Sequence, residues 1–169
     1  MGCTAAGCVS VAVLGNGIDE VYPSTSRAAA MDLLEKGGAI VSEYPPGIPP
    51  LRHHFPARNR VISGLSKAVV VVEAPARSGA LITADYALDQ GRDMYVHADG
   101  LHGSAGAGTR ALAEAGAPVI RGVADILAQW GRQPAAAPGR LSQATPADVL
   151  VGEIRGDCVV HSGDVYWRT

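Results

Sequence analysis

Two short segments of the chain carry the residue types that bind anions. The first is Arg58-Asn59-Arg60 with Ser63-Gly64 shortly after it, and the second is Arg77-Ser78-Gly79. Guanidinium forks, an amide, a hydroxyl and backbone N–H groups beside glycine are the donors that phosphate oxygens require. Because Arg77-Ser78-Gly79 lies between an apolar run and a helical pattern, it predicts an anion site at a helix N-terminus.

Positive charge is concentrated around these segments. The whole chain has a formal net charge of -2, yet the range Leu51 to Ala80 holds five basic residues and a single acid, Glu73. A local excess of cations on a chain without overall basic bias indicates a confined anionic ligand. The five basic residues are Arg52, Arg58, Arg60, Lys67 and Arg77.

Each feature also has a plainer interpretation. The Arg58 segment fits a solvated helix face equally well, and Ser78 alone would serve as a helix cap. His53 and His54 are predicted to be loop residues, because no acid or cysteine cluster completes a metal shell around them. Phe55 could stack on a base, although a hydrophobic staple at the helix start is favoured. The glycine-rich run 103–109 resembles a phosphate cradle but lacks a following lysine, which favours a mobile loop.

The sequence predicts binding rather than catalysis. Glu43, Glu73 and Asp85 are single acids without a paired partner. There is no serine elbow, and no spacing suggests a Cys–His pair. We therefore predict no catalytic residue, no metal and no cofactor.

Composition fits one α/β domain with a substantial core. Hydrophobic residues make up 47% of the 169 residues and charged residues 18%. The apolar runs are too short to span a bilayer, and the N-terminus lacks the order of a signal peptide, so a cytoplasmic protein without membrane contact is expected. The three cysteines have no repeated CxxC spacing and are predicted to be free thiols.

Strand and helix patterns alternate along the first part of the chain. The arrangement predicts a Rossmann-like, doubly wound, mostly parallel sheet of about five strands, in which ligands bind outside the carboxyl ends of the strands. Predicted strands are Val9–Gly15, Ala39–Tyr44, Ala68–Ala74, Asp93–His97 and Pro118–Arg121. Predicted helices start near Ser24, at Phe55, at Gly79, at Thr109 and after Arg121, and the last one runs through Trp130.

The chain is predicted to have three parts. Residues 1–131 form the Rossmann-like domain, and residues 132–147 are rich in Pro and Ala and read as a linker. Residues 148–169 contain two alternating runs separated by Gly-Asp turns, which predicts a short β-hairpin-like tail or a partner-binding segment.

Longer motifs resemble a known family. FPARNRVISGLS, followed by VVVVEAPARSGALITADYALDQGR, is similar to the signature of the DNA-processing protein A family (DprA, also called Smf). The similarity extends through AVLGNGIDEVYP and SEYPPGIPP upstream and through GAGTRALAEAGA downstream. It covers roughly Val9 to Leu127.

The resemblance implies a protein that binds single-stranded DNA through a positively charged pocket. It also implies delivery of that DNA to the recombinase RecA during natural transformation, and a homodimer. The residues it places in the pocket are Arg58, Asn59, Arg60, Ser63, Gly64, Lys67, Arg77, Ser78, Gly79 and Thr83.

The sequence departs from the family pattern at three places. The family domain starts earlier, with a further strand and a serine-glycine-glycine-alanine-arginine-glycine loop that contributes to the pocket. Ala98-Asp99 replaces the usual proline-glycine after the fourth strand, and Arg110 replaces an asparagine. The incomplete pocket predicts weaker DNA binding than that of an intact homologue.

Two other functions stay open. One is a nucleotide-processing enzyme similar to the cytokinin-activating phosphoribohydrolases, which carry a proline-glycine-glycine-x-glycine-threonine run and a catalytic glutamate. This chain has Ala76-Arg77-Ser78-Gly79-Ala80 at that place, without the glutamate, which disfavours the enzyme. The other is a degenerate remnant that binds nothing and only dimerises.

Overall fold

The computed structural model describes residues 8–132, which form alternating strands and helices. The strands are β1 (Val11–Val13), β2 (Ala39–Val41), β3 (Ala68–Val71), β4 (Asp93–His97) and β5 (Val119–Ile120). The helices are α1 (Arg27–Glu35), α2 (His54–Gly64), α3 (Gly79–Asp89), α4 (Ala107–Glu114) and α5 (Val123–Gln129). Short 3-10 turns lie at Ser24–Ser26 and Ala98–Leu101.

The core is built on both faces of β3, whose four residues are all buried. Ala68 and Val70 belong to a cluster with Tyr95 and the buried residues of α5. Val69 and Val71 lie in a second cluster, with the three buried alanines of α3. A strand covered on both sides reads as a continuous apolar run because neither face meets water. The layered, doubly wound α/β architecture predicted from the sequence is confirmed.

Within the described residues all strand pairs are parallel, but they form two separate ladders. β1 pairs with β2, and β3 pairs with β4, which in turn pairs with β5. β1 and β3 are not paired with each other, so the expected continuous sheet is divided between them. The carbonyl of Val13 at the end of β1 accepts a hydrogen bond from the Arg58 side chain instead of from a strand.

The C-terminal ends of α2 and α3 are joined by one side chain, Gln90. Its Nε2 donates to the carbonyl of Arg60 at 2.8 Å, and Ser63 Oγ donates to its Oε1 at 2.7 Å. The two helices therefore run parallel, and both N-termini point toward the carboxyl ends of the strands. This edge of the sheet is where a ligand is expected in an open α/β fold.

Several details differ from the sequence prediction. The helix predicted to start at Phe55 begins one residue earlier, at His54; it ends at Gly64, and the side chain of Leu65 is exposed. The run 103–109, predicted as a mobile loop, instead contains the start of α4 at Ala107 and a tight backbone contact at Gly108, where a Cβ atom would lie 2.7 Å from the carbonyl oxygen of Pro75. The predicted tail, and the linker beyond Arg132, lie outside the described residues. Within residues 8–132, none of the helices has the length and apolar character needed to cross a membrane.

Candidate functional site

The loop after β3 leads directly into the N-terminus of α3. Ser78 is the N-cap residue, with extended backbone angles (φ -84, ψ 146), and its Oγ accepts a hydrogen bond from the N–H of Ala80 at 3.2 Å. Gly79 is the first helical residue. The helix cap predicted for Ser78 is therefore present. The positive end of the α3 dipole lies beside this residue.

Arg77 stands next to this helix start with its side chain exposed. Among residues 8–132 it has no hydrogen-bond acceptor and no ion-pair partner. A guanidinium that no protein group neutralises, placed beside the N-terminus of a helix, favours binding of an anion there.

The start of α4 holds the loop after β3 in place. The N–H of Ala74 donates to Thr109 Oγ1 at 2.8 Å, and the N–H of Gly108 donates to the carbonyl of Ala74 at 2.8 Å. A Cβ atom on Gly108 would lie 2.7 Å from the carbonyl oxygen of Pro75, so only glycine permits this approach. Sequence reasoning discounted these residues, although a glycine-threonine pair opening a helix was a usable signal.

Replacing Thr109 with valine is expected to lower the free energy of unfolding by about 1–3 kcal/mol, because the buried N–H of Ala74 loses its acceptor. Valine keeps the shape of threonine, so packing is preserved. Thr83→Val is the matched control: Thr83 is equally buried, but its Oγ1 only reaches the carbonyl of Gly79 in its own helix at 3.4 Å. Urea denaturation of both variants measures the difference, and equal losses would show that the Ala74–Thr109 bond does not fix the loop.

Arg58 and Asn59 form a half-buried pair in the second turn of α2. Arg58 Nε donates to Asn59 Oδ1 at 3.1 Å, while Nη1 donates to the carbonyl of Val13. The guanidinium also lies 5.6 Å from the centre of the Phe55 ring. Burial lowers the pKa of Arg58 below its ordinary value, because desolvation penalises the charged form. Arg58 thus anchors α2 to the carboxyl end of β1.

Arg60 lies on the exposed side of α2 and forms an ion pair with Glu43. Both side chains are about half exposed, at 52% and 42%. Surface pairs of this kind are weak, since water and salt screen them. The Arg60 guanidinium can therefore exchange the carboxylate for another anion at small energetic cost.

Four of the predicted site residues lie away from this edge. Ser63 and Gly64 are at the C-terminal end of α2, where Ser63 is buried against Gln90. Thr83 is buried inside α3. Lys67 precedes β3 at the opposite edge of the sheet, with its Nζ 3.9 Å from the centre of the Trp130 ring.

The carboxyl end of β1 contains polar residues that sequence reasoning did not select. Asn16 is buried, and its Nδ2 donates to the carbonyl of Glu20 at 2.7 Å.

His54, predicted as a loop residue, is the first residue of α2. Its Nδ1 lies 3.0 Å from the carbonyl of Gly15, and its ring stacks on Tyr44 with ring centres 4.0 Å apart. Phe55 packs against Gly15 and lies 6.0 Å from the Tyr22 ring. In the sequence, the Gly-Asn-Gly turn that follows an apolar run is the feature that could have pointed to these residues.

The carboxyl edge therefore brings together Arg58, Asn59, Arg60, Arg77, Ser78 and Gly79 from the predicted set. Within residues 8–132 there is no group of three or more His, Cys, Asp or Glu side chains arranged to hold a metal ion. The doubly wound parallel fold defines a Rossmann-like class of domain, and its carboxyl edge carries basic side chains and a helix N-terminus.

Comparison with known proteins identifies the family. The profile of the family described as DNA recombination-mediator protein A matches residues 1–131. The chain belongs to this DprA/Smf family.

Individual relatives agree with this assignment. Residues of the chain are 58% identical to protein Smf of Escherichia coli over 87 residues, which is 52% of this chain and 23% of that protein. They are 38% identical to DprA of Streptococcus pneumoniae over 121 residues, 72% of this chain and 43% of that protein. The chain thus spans less than half the length of these two relatives.

Solved structures give the same fold. The X-ray structure of DprA from Streptococcus pneumoniae superposes with a TM-score of 0.64 at 38% identity, covering 73% of this chain and 43% of that chain. A Helicobacter pylori DprA structure, described as showing a single-stranded DNA binding mode, superposes with a TM-score of 0.63 at 26% identity. That match covers 71% of this chain and 55% of the other.

Proposed function

We propose that this protein binds single-stranded DNA through its phosphates at the carboxyl edge of the sheet. The observation that carries the proposal is Arg77, exposed and without an internal partner in residues 8–132, beside the capped N-terminus of α3. Family membership and the DNA-binding description of the Helicobacter pylori relative support it.

Each residue has a distinct part in this proposal. The guanidinium of Arg77 donates a bidentate pair of hydrogen bonds to one phosphate, and Gly79 lets the backbone approach that phosphate closely. Arg60 exchanges Glu43 for a second phosphate, while Arg58 and Asn59 hold α2 in position. Contacts of this type are independent of base sequence, so binding is expected to weaken steeply with salt.

The wider biological role follows from the same proposal. A protein of this family that holds single-stranded DNA would act in DNA uptake and natural transformation. There it would work as a homodimer in the cytoplasm and pass the strand to a RecA-type recombinase. Co-purification with RecA only in the presence of single-stranded DNA would support this step.

Arg77→Ala is expected to weaken binding of an oligothymidine by about tenfold, because it removes a charge-assisted contact to phosphate. The slope of log affinity against log salt should fall in magnitude by about 0.7, the value for one phosphate contact on a single strand. Fluorescence anisotropy over a series of salt concentrations measures both quantities.

Lys67→Ala is the matched control, since it removes one positive charge at the opposite edge of the sheet. Its affinity should stay within about twofold of the parent protein. Equal losses in the two variants would mean that net charge, and not the site beside α3, determines binding. Absence of any binding by the parent chain would favour the degenerate remnant, and release of free base from a nucleoside monophosphate would favour the enzyme.

A further inference from the structure

Arg110 is the fourth residue of α4, and its side chain points back to the loop that follows β4. Its Nη1 donates hydrogen bonds to two backbone carbonyls of that loop, to Leu101 at 3.0 Å and to Gly103 at 2.7 Å. Long side chains on a helix turn toward the helix N-terminus, which agrees with this direction. Because both acceptors are backbone groups, they hold the guanidinium group in one orientation.

The other donors of Arg110 stay open. A guanidinium group presents Nε and Nη2 along one side as a fork, which a phosphate group engages with two parallel hydrogen bonds. Within residues 8–132, neither Nε nor Nη2 of Arg110 has an acceptor, and the side chain is only half-buried. Because Nη1 is already held, little side-chain freedom is lost when an anion binds to the free side.

No acid in residues 8–132 neutralises Arg110. Glu114 is four residues further along α4, a spacing at which helical ion pairs form, yet it is not paired with Arg110. The carboxylate of Asp99 lies 3.7 Å from Nδ1 of His97, and the exposed Glu73 has no ion pair. The partners of Arg110 are neutral carbonyls, so its positive charge remains uncompensated.

The loops that carry Arg77 and Arg110 touch each other. The N–H of Gly108 donates to the carbonyl of Ala74 at 2.8 Å, and a Cβ atom on Gly108 would lie 2.7 Å from the carbonyl oxygen of Pro75. Gly108 and Pro75 each lie two residues before one of the two arginines. β3 and β4 are adjacent parallel strands, about 4.8 Å apart. The two arginines therefore stand on neighbouring loops of the carboxyl edge.

We propose that the Nε–Nη2 side of Arg110 binds a further phosphate of the same single strand that is bound at Arg77. The strand then crosses the carboxyl edge from β3 toward β4. This assignment of the phosphate to DNA rests on the proposed function. The anion site itself, a fixed guanidinium group with a free fork, does not. Free phosphate and a DNA strand offer the same oxygen atoms, so the test separates the two.

The first measurement follows the side-chain Nε–H signal of Arg110 in proton–nitrogen correlation spectra of the full 169-residue chain, with Arg110→Lys to assign the signal. Inorganic phosphate and an oligothymidine are titrated separately. Both are expected to shift the signal, and Arg77→Ala should leave the shift by phosphate in place. No shift with either ligand would overturn the proposal. A shift by phosphate in a chain that binds no oligothymidine would refute the proposed function and the DNA contact, but not the anion site.

The second measurement is the affinity for a long oligothymidine by fluorescence anisotropy. Arg110→Gln removes the charge and the fork, and should weaken binding by about tenfold and reduce the salt slope by about 0.7. Arg110→Lys keeps the charge without the fork, and should still lose about threefold. Arg92→Gln is the matched control, because Nη2 of Arg92 also donates to a backbone carbonyl, that of Gly64, but at the opposite edge of the sheet. Its affinity should stay within about twofold of the parent protein.

Three results of this series would contradict the proposal. Arg110→Gln could prove as mild as Arg92→Gln, or Arg110→Lys could bind as tightly as the parent protein, which would show that the fork is not used. A loss of affinity with an unchanged salt slope would show that Arg110 only holds its loop in place. Urea denaturation of the three variants measures that structural contribution separately.

Discussion

Replacement of Gly100 by alanine is expected to destabilise the protein by about 3 kcal/mol or more, the upper range for overpacking a buried site. Gly100 is buried in the turn Ala98–Leu101, where a Cβ atom would lie 1.6 Å from the carbonyl oxygen of Val72. The obstructing atom is backbone at the end of β3, so the turn and the strand must separate to admit a methyl group. Urea denaturation followed by circular dichroism measures the loss.

Gly122→Ala provides the control for this substitution. Gly122 has an extended backbone with a φ of 179, and no atom lies within 4 Å of the position of an added Cβ. Alanine there should change the free energy of unfolding by less than about 1 kcal/mol. If Gly100→Ala proved as mild as Gly122→Ala, the turn after β4 would not pack on β3 as described.

Arg58→Ala is expected to lower the free energy of unfolding by about 2–3 kcal/mol. The carbonyl of Val13 loses its donor, and Phe55 loses the guanidinium that lies over its ring. Arg58→Lys should recover only part of this loss, because an ammonium group cannot donate to Val13 and Asn59 with the same planar geometry. Thermal and urea unfolding of both variants measure the effect.

Arg60→Ala is the control that separates the structural contribution of Arg58 from the effect of removing a positive charge from α2. Arg60 is two residues further along α2, and its surface pair with Glu43 should contribute less than about 1 kcal/mol. For DNA affinity, the order of the two variants is expected to differ from their order for stability, since the Arg60 guanidinium is exposed and can exchange its carboxylate partner for a phosphate. Equal destabilisation by the two substitutions would contradict the anchoring role assigned to Arg58.

The sequence was sufficient to predict the layers of the fold. The apolar run at β3 and the span of β4 are confirmed in the structure. These features follow from local chemistry: a strand buried on both faces excludes polar residues, and helices end readily at glycine with positive φ, as at Gly37 and Gly91.

The sequence was less informative about the candidate site, because residue type does not reveal which acceptor a side chain meets. Arg58 and Arg77 look alike in the sequence, yet one donates to a strand carbonyl and the other is exposed. Thr109 was overlooked because its partner, Ala74, is distant in the sequence. The division of the sheet likewise depends on long-range pairing, which local patterns do not encode. Assignment of the site residues to DNA stays a prediction.

The Gln90 side chain that joins the C-terminal ends of α2 and α3 has a mechanical consequence. The start of α2 is held as well, because His54 Nδ1 lies 3.0 Å from the carbonyl of Gly15 and Arg58 donates to the carbonyl of Val13. With both ends of the helix held, a force applied to α2 is passed on to β1 and to the C-terminal end of α3, and the helix neither turns nor slides freely.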